Sequence, residues 1–235
     1  MANAREEILG RIAAALVDRP ERRPVPRDYE RRLDPGIDIV ELFAERVADY
    51  RATVHRTTPE RLAQTVAAVL AGLGVGRIVV PAGAPAAWLA DAAVEQVRDD
   101  PPLSVTELDR IDATITGCAV AIAETGTIVL DGGPGQGRRA LSLLPDRHIC
   151  IVPVDLIVGT VPQALERLDP RRAQTWISGP SATSDIELQR VEGVHGPRIL
   201  QVVLVGPSRA PVDRGLDTED LEAGGGPGGA EHGQH

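Results

Sequence analysis

Four short runs dominate what this chain can become: RIVVP at 77–81, AVAIAETGTIVL at 119–130, HICIVPV at 148–154 and ILQVVLV at 199–205. Each is rich in Val, Ile and Leu and too short for a buried helix, so each reads as a strand with little need of water on either face. Between them lie segments with helical periodicity and short, Gly- or Pro-marked connections. Strands alternating with helices predict an α/β fold with a largely parallel sheet.

The rest of the chain fits around those strands. Asn3 and Glu6 have capping-box spacing, and Ile8, Ile12 and Leu16 make one stripe of a first helix. Residues 18–38, dense in Pro and Arg, read as an extended arm. Val40, Phe43, Val47 and Tyr50 mark a second helix, and Thr53 to His55 a short strand. Thr58-Pro59 opens a helix running to about Leu73. A helix is expected over 85–97 and a strand over 104–108. A hairpin or bulged strand is expected over 119–130, and a short helix over 138–144. A helix over 162–168 capped by Thr160 and a strand over 174–178 complete the core. From 207 onward the Gly-, Pro- and acid-rich sequence has too few apolar residues for a core and is expected to be disordered. The organisation predicted is thus an arm (1–38), one α/β domain (39–206) and a tail (207–235).

Composition removes several functions. The net charge of −9 gives no basic face for a phosphate backbone, and an aromatic content of 2% leaves little to stack on bases, so nucleic acid is not the expected partner. No run reaches the roughly 20 apolar residues of a membrane span. The N-terminal MANAREEILGRIAAAL lacks the basic and apolar regions of a secretory signal, and a cytoplasmic location is expected. Two cysteines, Cys118 and Cys150, cannot furnish a four-thiolate cluster or a disulfide framework. All 25 basic residues are arginine, so lysine chemistry, whether a Schiff base or a Walker-A loop, is absent.

In an open parallel sheet the ligand crevice is expected beyond the carboxyl ends of the strands. Three loops are placed there by the reading above: the turn at Glu124, the stretch 131–137, and GPSATSDIELQRVEGVHGP at 179–197. DGGPGQGRRA carries Gly135, Gly137 and Ala140 in GxGxxA spacing, with Asp155 further on. It reads either as a dinucleotide fingerprint, against which its distance from the preceding strand counts, or as an anion cradle beside Arg138 or Arg139. Glu124 is either a partly desolvated nucleophile or a solvent-facing turn residue. His148 and Cys150 share a strand face, as metal ligands or as core. His195 sits in a rigid Gly-Pro turn suited to presenting an imidazole. Ser178, Ser181, Thr183 and Asp185 form a polar lip suited to a phosphate, carboxylate or amide.

Taken in order, AIAETGTIVL, RALSLLPDRHICIVP and ISGPSATSDIELQRVEGVHGP resemble the lactate utilization protein C family, also called the LUD domain. The resemblance runs from the first helix to about Gly206. It implies a three-layer α/β/α fold similar to the NagB/RpiA/CoA transferase-like group, which includes sugar-phosphate isomerases and formyltetrahydrofolate cyclo-ligases. It also implies a part in oxidising L-lactate to pyruvate beside two iron–sulfur partner proteins, this chain itself holding no cofactor. Its motif positions here are Glu124, Thr125, Gly126, Thr127, His148, Ser178, Gly179, Pro180, Ser181, Thr183, Asp185, Gly193, His195, Gly196 and Pro197, and Arg139 joins them from the residue-level reading. Glu124 and His195 are the candidates for catalysis, the others for holding a small carboxylate or phosphate. The alternative is a stand-alone CoA-transferase-like or cyclo-ligase-like enzyme acting on an anionic small molecule.

Overall fold

The structure, a computed structural model, describes residues 3–17, 24–28, 30–184, 190–192 and 196–207. Its frame is a six-stranded, wholly parallel sheet. The strands are β1 (Thr53–Thr57), β2 (Arg77–Val80), β3 (Glu95–Arg98), β4 (Ala113–Thr116), β7 (Arg147–Pro153) and β12 (Ile199–Val205), in spatial order β1-β12-β7-β4-β2-β3. A second, mixed sheet has the order β8-β5-β6-β9, from β5 (Val120–Ile122), β6 (Thr127–Leu130), β8 (Ile157–Val158) and β9 (Thr175–Ile177). The α/β class with a largely parallel central sheet is therefore as expected.

The period of two along each strand distributes the core. On β7, Ile149 and Ile151 join Ile78, Ile115 and Val203 beneath α3 (Leu62–Gly72), whose Val66, Val69 and Leu70 cover that face. Cys150 and Val152 point the other way, with Leu200, Val202 and Leu204, toward α2 (Ile39–Asp49) and the mixed sheet. Phe43 of α2 is wholly buried there, the one aromatic among the largest buried side chains. The outer face of the mixed sheet is closed by Ala164 of α5 (Val161–Arg167) and by Leu168, the residue after it. Aliphatic side chains thus fill several thin apolar layers, as an aromatic-poor chain must.

Local signals explain most elements, and tertiary pairing overrides a few. Asp38 caps α2 by accepting from the Val40 and Glu41 amides at 3.1 and 3.3 Å. The Gln163 carboxamide accepts from the Thr160 amide at 3.1 Å at the start of α5. In α1 (Ala4–Ala15), Asn3 accepts from the Arg5 amide at 3.2 Å, in place of the expected exchange with Glu6. Thr58 makes no side-chain cap, and a 3-10 turn, Pro59–Arg61, precedes α3.

The expected helix over 85–97 is replaced by a 3-10 turn, Ala86–Leu89, and by β3. The free edge of β2 recruits residues 95–98 and outweighs the helical propensity of the alanines. The expected strand at 104–108 is the short helix α4 (Val105–Leu108), nucleated by a capping box in which Ser104 accepts from the Glu107 amide and Glu107 from the Ser104 amide. The short helix at 138–144 is a single 3-10 turn, Arg139–Ser142. Strands β4 and β8 were not anticipated. The last residues of the Pro-Arg arm are fastened to the domain: Thr160 donates to the Arg31 carbonyl at 2.7 Å, and Leu33 packs on Gly159. Residues 18–23, Tyr29 and the tail from 208 lie outside the described residues.

Candidate functional site

At the carboxyl ends of β2 and β4 the predicted crevice is filled by the protein itself, while a cavity of about 460 Å³ opens beside the carboxyl ends of β1, β7 and β12, lined by Thr57, Val154, Leu204 and Gly206. Gly135 bridges the ends of β2 and β4, donating to the Ala82 carbonyl at 2.9 Å and accepting from the Gly117 amide at 2.8 Å. The Trp88 ring lies over both glycines. Three further amides of the loop are spent internally: Asp131 N–H on Gln136 Oε1, Gly133 N–H on Asp131 Oδ1, Gln136 N–H on the Gly133 carbonyl. Arg138 is committed to Asp99 through two bonds of 2.8 and 3.0 Å, and to the Leu103 carbonyl. The dinucleotide fingerprint loses the Gly135 amide and Arg138, both already used, while Gly132, Gly137 and Arg139 still line a small cavity of about 250 Å³.

The polar cavity lies instead over the amino-terminal ends of β7 and β12. It has a volume of about 360 Å³ and is bounded by the 3-10 turn Arg139–Ser142, the segment 174–181 through β9, and Gly196-Pro197. His148 and Leu200, register partners on β7 and β12, form its floor. His148 is 1% exposed, and its Nε2 lies 2.7 Å from Thr116 Oγ1. Burial lowers its pKa to about 4, so the ring is neutral at physiological pH. Arg139 is exposed at the rim, and among the described residues no carboxylate pairs with it.

Glycine makes the walls meet. Gly126 (φ +58°) and Gly179 (φ +83°) both press on the end of α2, where a Cβ would stand 2.8 Å from the Arg46 carbonyl carbon and 2.5 Å from Tyr50 Cβ. This close approach joins two distant segments through hydroxyls: Thr125 Oγ1 to Thr127 Oγ1 at 2.7 Å, and Thr127 Oγ1 to Ser178 Oγ at 2.8 Å. The Ser181 amide donates to the Pro197 carbonyl at 2.8 Å, which ties the two Gly-Pro turns together. Arg198 then grips Asp146 at 2.6 and 2.8 Å and holds that carboxyl below its usual range. Past Ser181 the lip runs on as an antiparallel pair, β10 (Ala182–Ser184) and β11 (Arg190–Glu192).

The family model of the LUD domain matches residues 40–205. The chain belongs to the LUD-domain family. A lactate utilization protein C of Deinococcus radiodurans is 49% identical over 213 residues, covering 87% of this chain and 97% of that protein. Its namesake in Halalkalibacterium halodurans is 28% identical over 220 residues, 84% of this chain and 95% of that one. A crystal structure of a DUF162 family protein from D. radiodurans matches with a TM-score of 0.63 and 46% identity, over 72% of this chain and 96% of that one.

Within this LUD domain the motif positions divide. Arg139, His148, Ser178, Gly179, Pro180, Ser181, Gly196 and Pro197 share the cavity, and Thr125, Gly126 and Thr127 support its wall from behind. Glu124 is apart: its carboxylate is exposed and lines none of the cavity, while its amide donates to the Gly159 carbonyl at 3.0 Å. Thr183 is in β10. Asp185, Gly193 and His195 lie outside the described residues. Cys150 belongs to the core, and the neighbouring Cys150 thiol, with burial, raises the Cys118 thiol well above its ordinary range, so Cys118 stays protonated. Among the described residues no three His, Cys, Asp or Glu side chains cluster as metal ligands, and no helix is long and apolar enough to cross a membrane.

Sequence reasoning missed Thr116, Ser142, Gln174, Thr175 and Trp176 at this site. A signal existed for Thr116. In ATIT (113–116) the hydroxyls alternate with apolar residues, which puts Thr114 and Thr116 on one strand face, the face that His148 shares in the parallel register.

Proposed function

We propose that this LUD chain is the non-cluster component of a lactate-utilization system. In that system L-lactate loses two electrons and two protons to give pyruvate, and the electrons pass to iron–sulfur clusters on two partner proteins. The observation that carries the reading is the cavity itself: one arginine, a neutral imidazole and several hydroxyls suit a small organic anion, in a chain whose near-full-length relatives are named for lactate utilization. The two cysteines supply too few thiolates for a four-thiolate cluster, which supports a role without one for this chain. A covalent route through Glu124 has no support from its position in an exposed turn. The test is lactate-dependent reduction of a redox dye by the purified chain alone and by the chain with its cysteine-rich partners. Reduction only by the mixture is expected. Equal reduction by the partners without this chain would remove it from the reaction.

A further inference from the structure

The cavity also carries a reading of its ligand, which rests on the role proposed above. Among its described lining residues the charge is small. Arg139 is the one cation among the described lining residues, and the imidazole below it adds no second charge, being wholly buried beside Thr116. The 3-10 turn that begins at Arg139 has four residues, too few for a helix dipole to contribute. A phosphate monoester carries about −1.5 to −2 at pH 7 and would be left under-neutralised. A carboxylate carries one charge, and its two oxygens match the guanidinium fork.

The floor supplies a second requirement. His148 Nε2 is taken by Thr116, while Nδ1 has no hydrogen-bond partner among the described residues. Thr114 Oγ1 and Arg147 Nε are the buried side-chain atoms found with neither partner nor surface, and Nδ1 is not one of them. Among the described residues, the ring opens on the cavity it lines. A neutral ring nitrogen at the bottom of a cavity of about 360 Å³ recognises a hydroxyl or carbonyl oxygen beside the carboxylate, donating or accepting according to tautomer. Leu143, Leu200 and Ile177 leave room for a short aliphatic remainder.

We propose that this cavity binds a small 2-hydroxy- or 2-oxo-monocarboxylate, with Arg139 on the carboxylate and His148 on the adjacent oxygen. Thr116 is then a positioning residue that fixes the imidazole.

Calorimetric titration of the full chain, without partners, tests it with L-lactate, pyruvate, propionate and inorganic phosphate as probes. Lactate or pyruvate should bind one to one. Propionate, which lacks the second oxygen, should bind about tenfold more weakly, and phosphate more weakly still. Arg139→Gln, an exposed substitution whose folding is checked by circular dichroism, should weaken lactate at least about tenfold. Tighter binding of phosphate, equal binding of propionate, or an unchanged Arg139→Gln isotherm would each overturn the proposal. Absence of any binding would do the same. The role and the site fail separately. Dye reduction by the assembly with no binding to the isolated chain keeps the role and discards the site, and binding without dye reduction does the reverse.

Discussion

His148 shows how a single residue ties the site to stability. Its folded pKa of about 4 lies below the ordinary value near 6.5, so between those limits the unfolded chain takes up a proton that the folded chain refuses. Stability therefore rises with pH across that window and is lost as pH falls from 6.5 toward 4, by on the order of 3 kcal/mol in all. Comparing urea midpoints at pH 7 and pH 4.5 for the wild type and His148→Phe isolates this contribution, since the carboxylates titrate equally in both. The variant should show the shallower pH dependence, and identical slopes would mean the ring is hydrated. Glycines give a second residue-scale series. Gly179→Ala combines a positive φ with a Cβ at 2.5 Å from Tyr50, and should cost about 2 kcal/mol or more. Gly74→Ala, at φ +63° with nothing within 4 Å, should cost about half that. Equal losses would show that contact with α2 does not matter.

Among the elements, α4 is the clearest case of a sequence signal outweighing a composition signal. Leu103 to Leu108 looks apolar enough for a strand, yet Ser104 and Glu107 satisfy each other's amides and start a helix. Ser104→Ala should lower stability by about 1 kcal/mol in denaturant unfolding, and no change would indicate that tertiary contacts alone hold α4. The first helix is the opposite case. Ile8, Leu9, Ile12 and Leu16 are each at least half exposed, and α1 buries no residue. Apolar side chains left exposed along a helix suit the groove of another protein. Because Arg31 and Leu33 are stitched to the domain, the informative truncation removes residues 1–28 and no more. That protein should keep the full-length melting temperature within a few degrees and lose co-purification with the partner proteins proposed above. Retained co-purification would place the docking surface elsewhere.

For the molecule as a whole, the decisive event is the insertion of the glycine-rich loop between β2 and β4. It closes the carboxyl ends of β2 and β4, while the polar cavity with His148 opens at the amino ends of β7 and β12. Titration with NAD⁺ should accordingly give no saturable heat, and a one-to-one isotherm would show that the loop and Trp88 yield to a nucleotide. Much of the architecture was legible beforehand. The β5–β6 hairpin with Gly126 in its turn, the two-sided burial of β7 and β12, and the cap of α5 all follow from patterns spanning a few residues. Such patterns report which way a side chain faces relative to its own backbone, and that much the chain carries in itself. They do not report which strand lies alongside. That Thr116 meets His148, that Thr127 meets Ser178 across 51 positions, and that Arg139 rather than Arg138 is left free beside them were decided by tertiary structure. The reason is physical: strand order, parallel register and close glycine contacts are cooperative properties of the packed sheet, and no local run of residues encodes them.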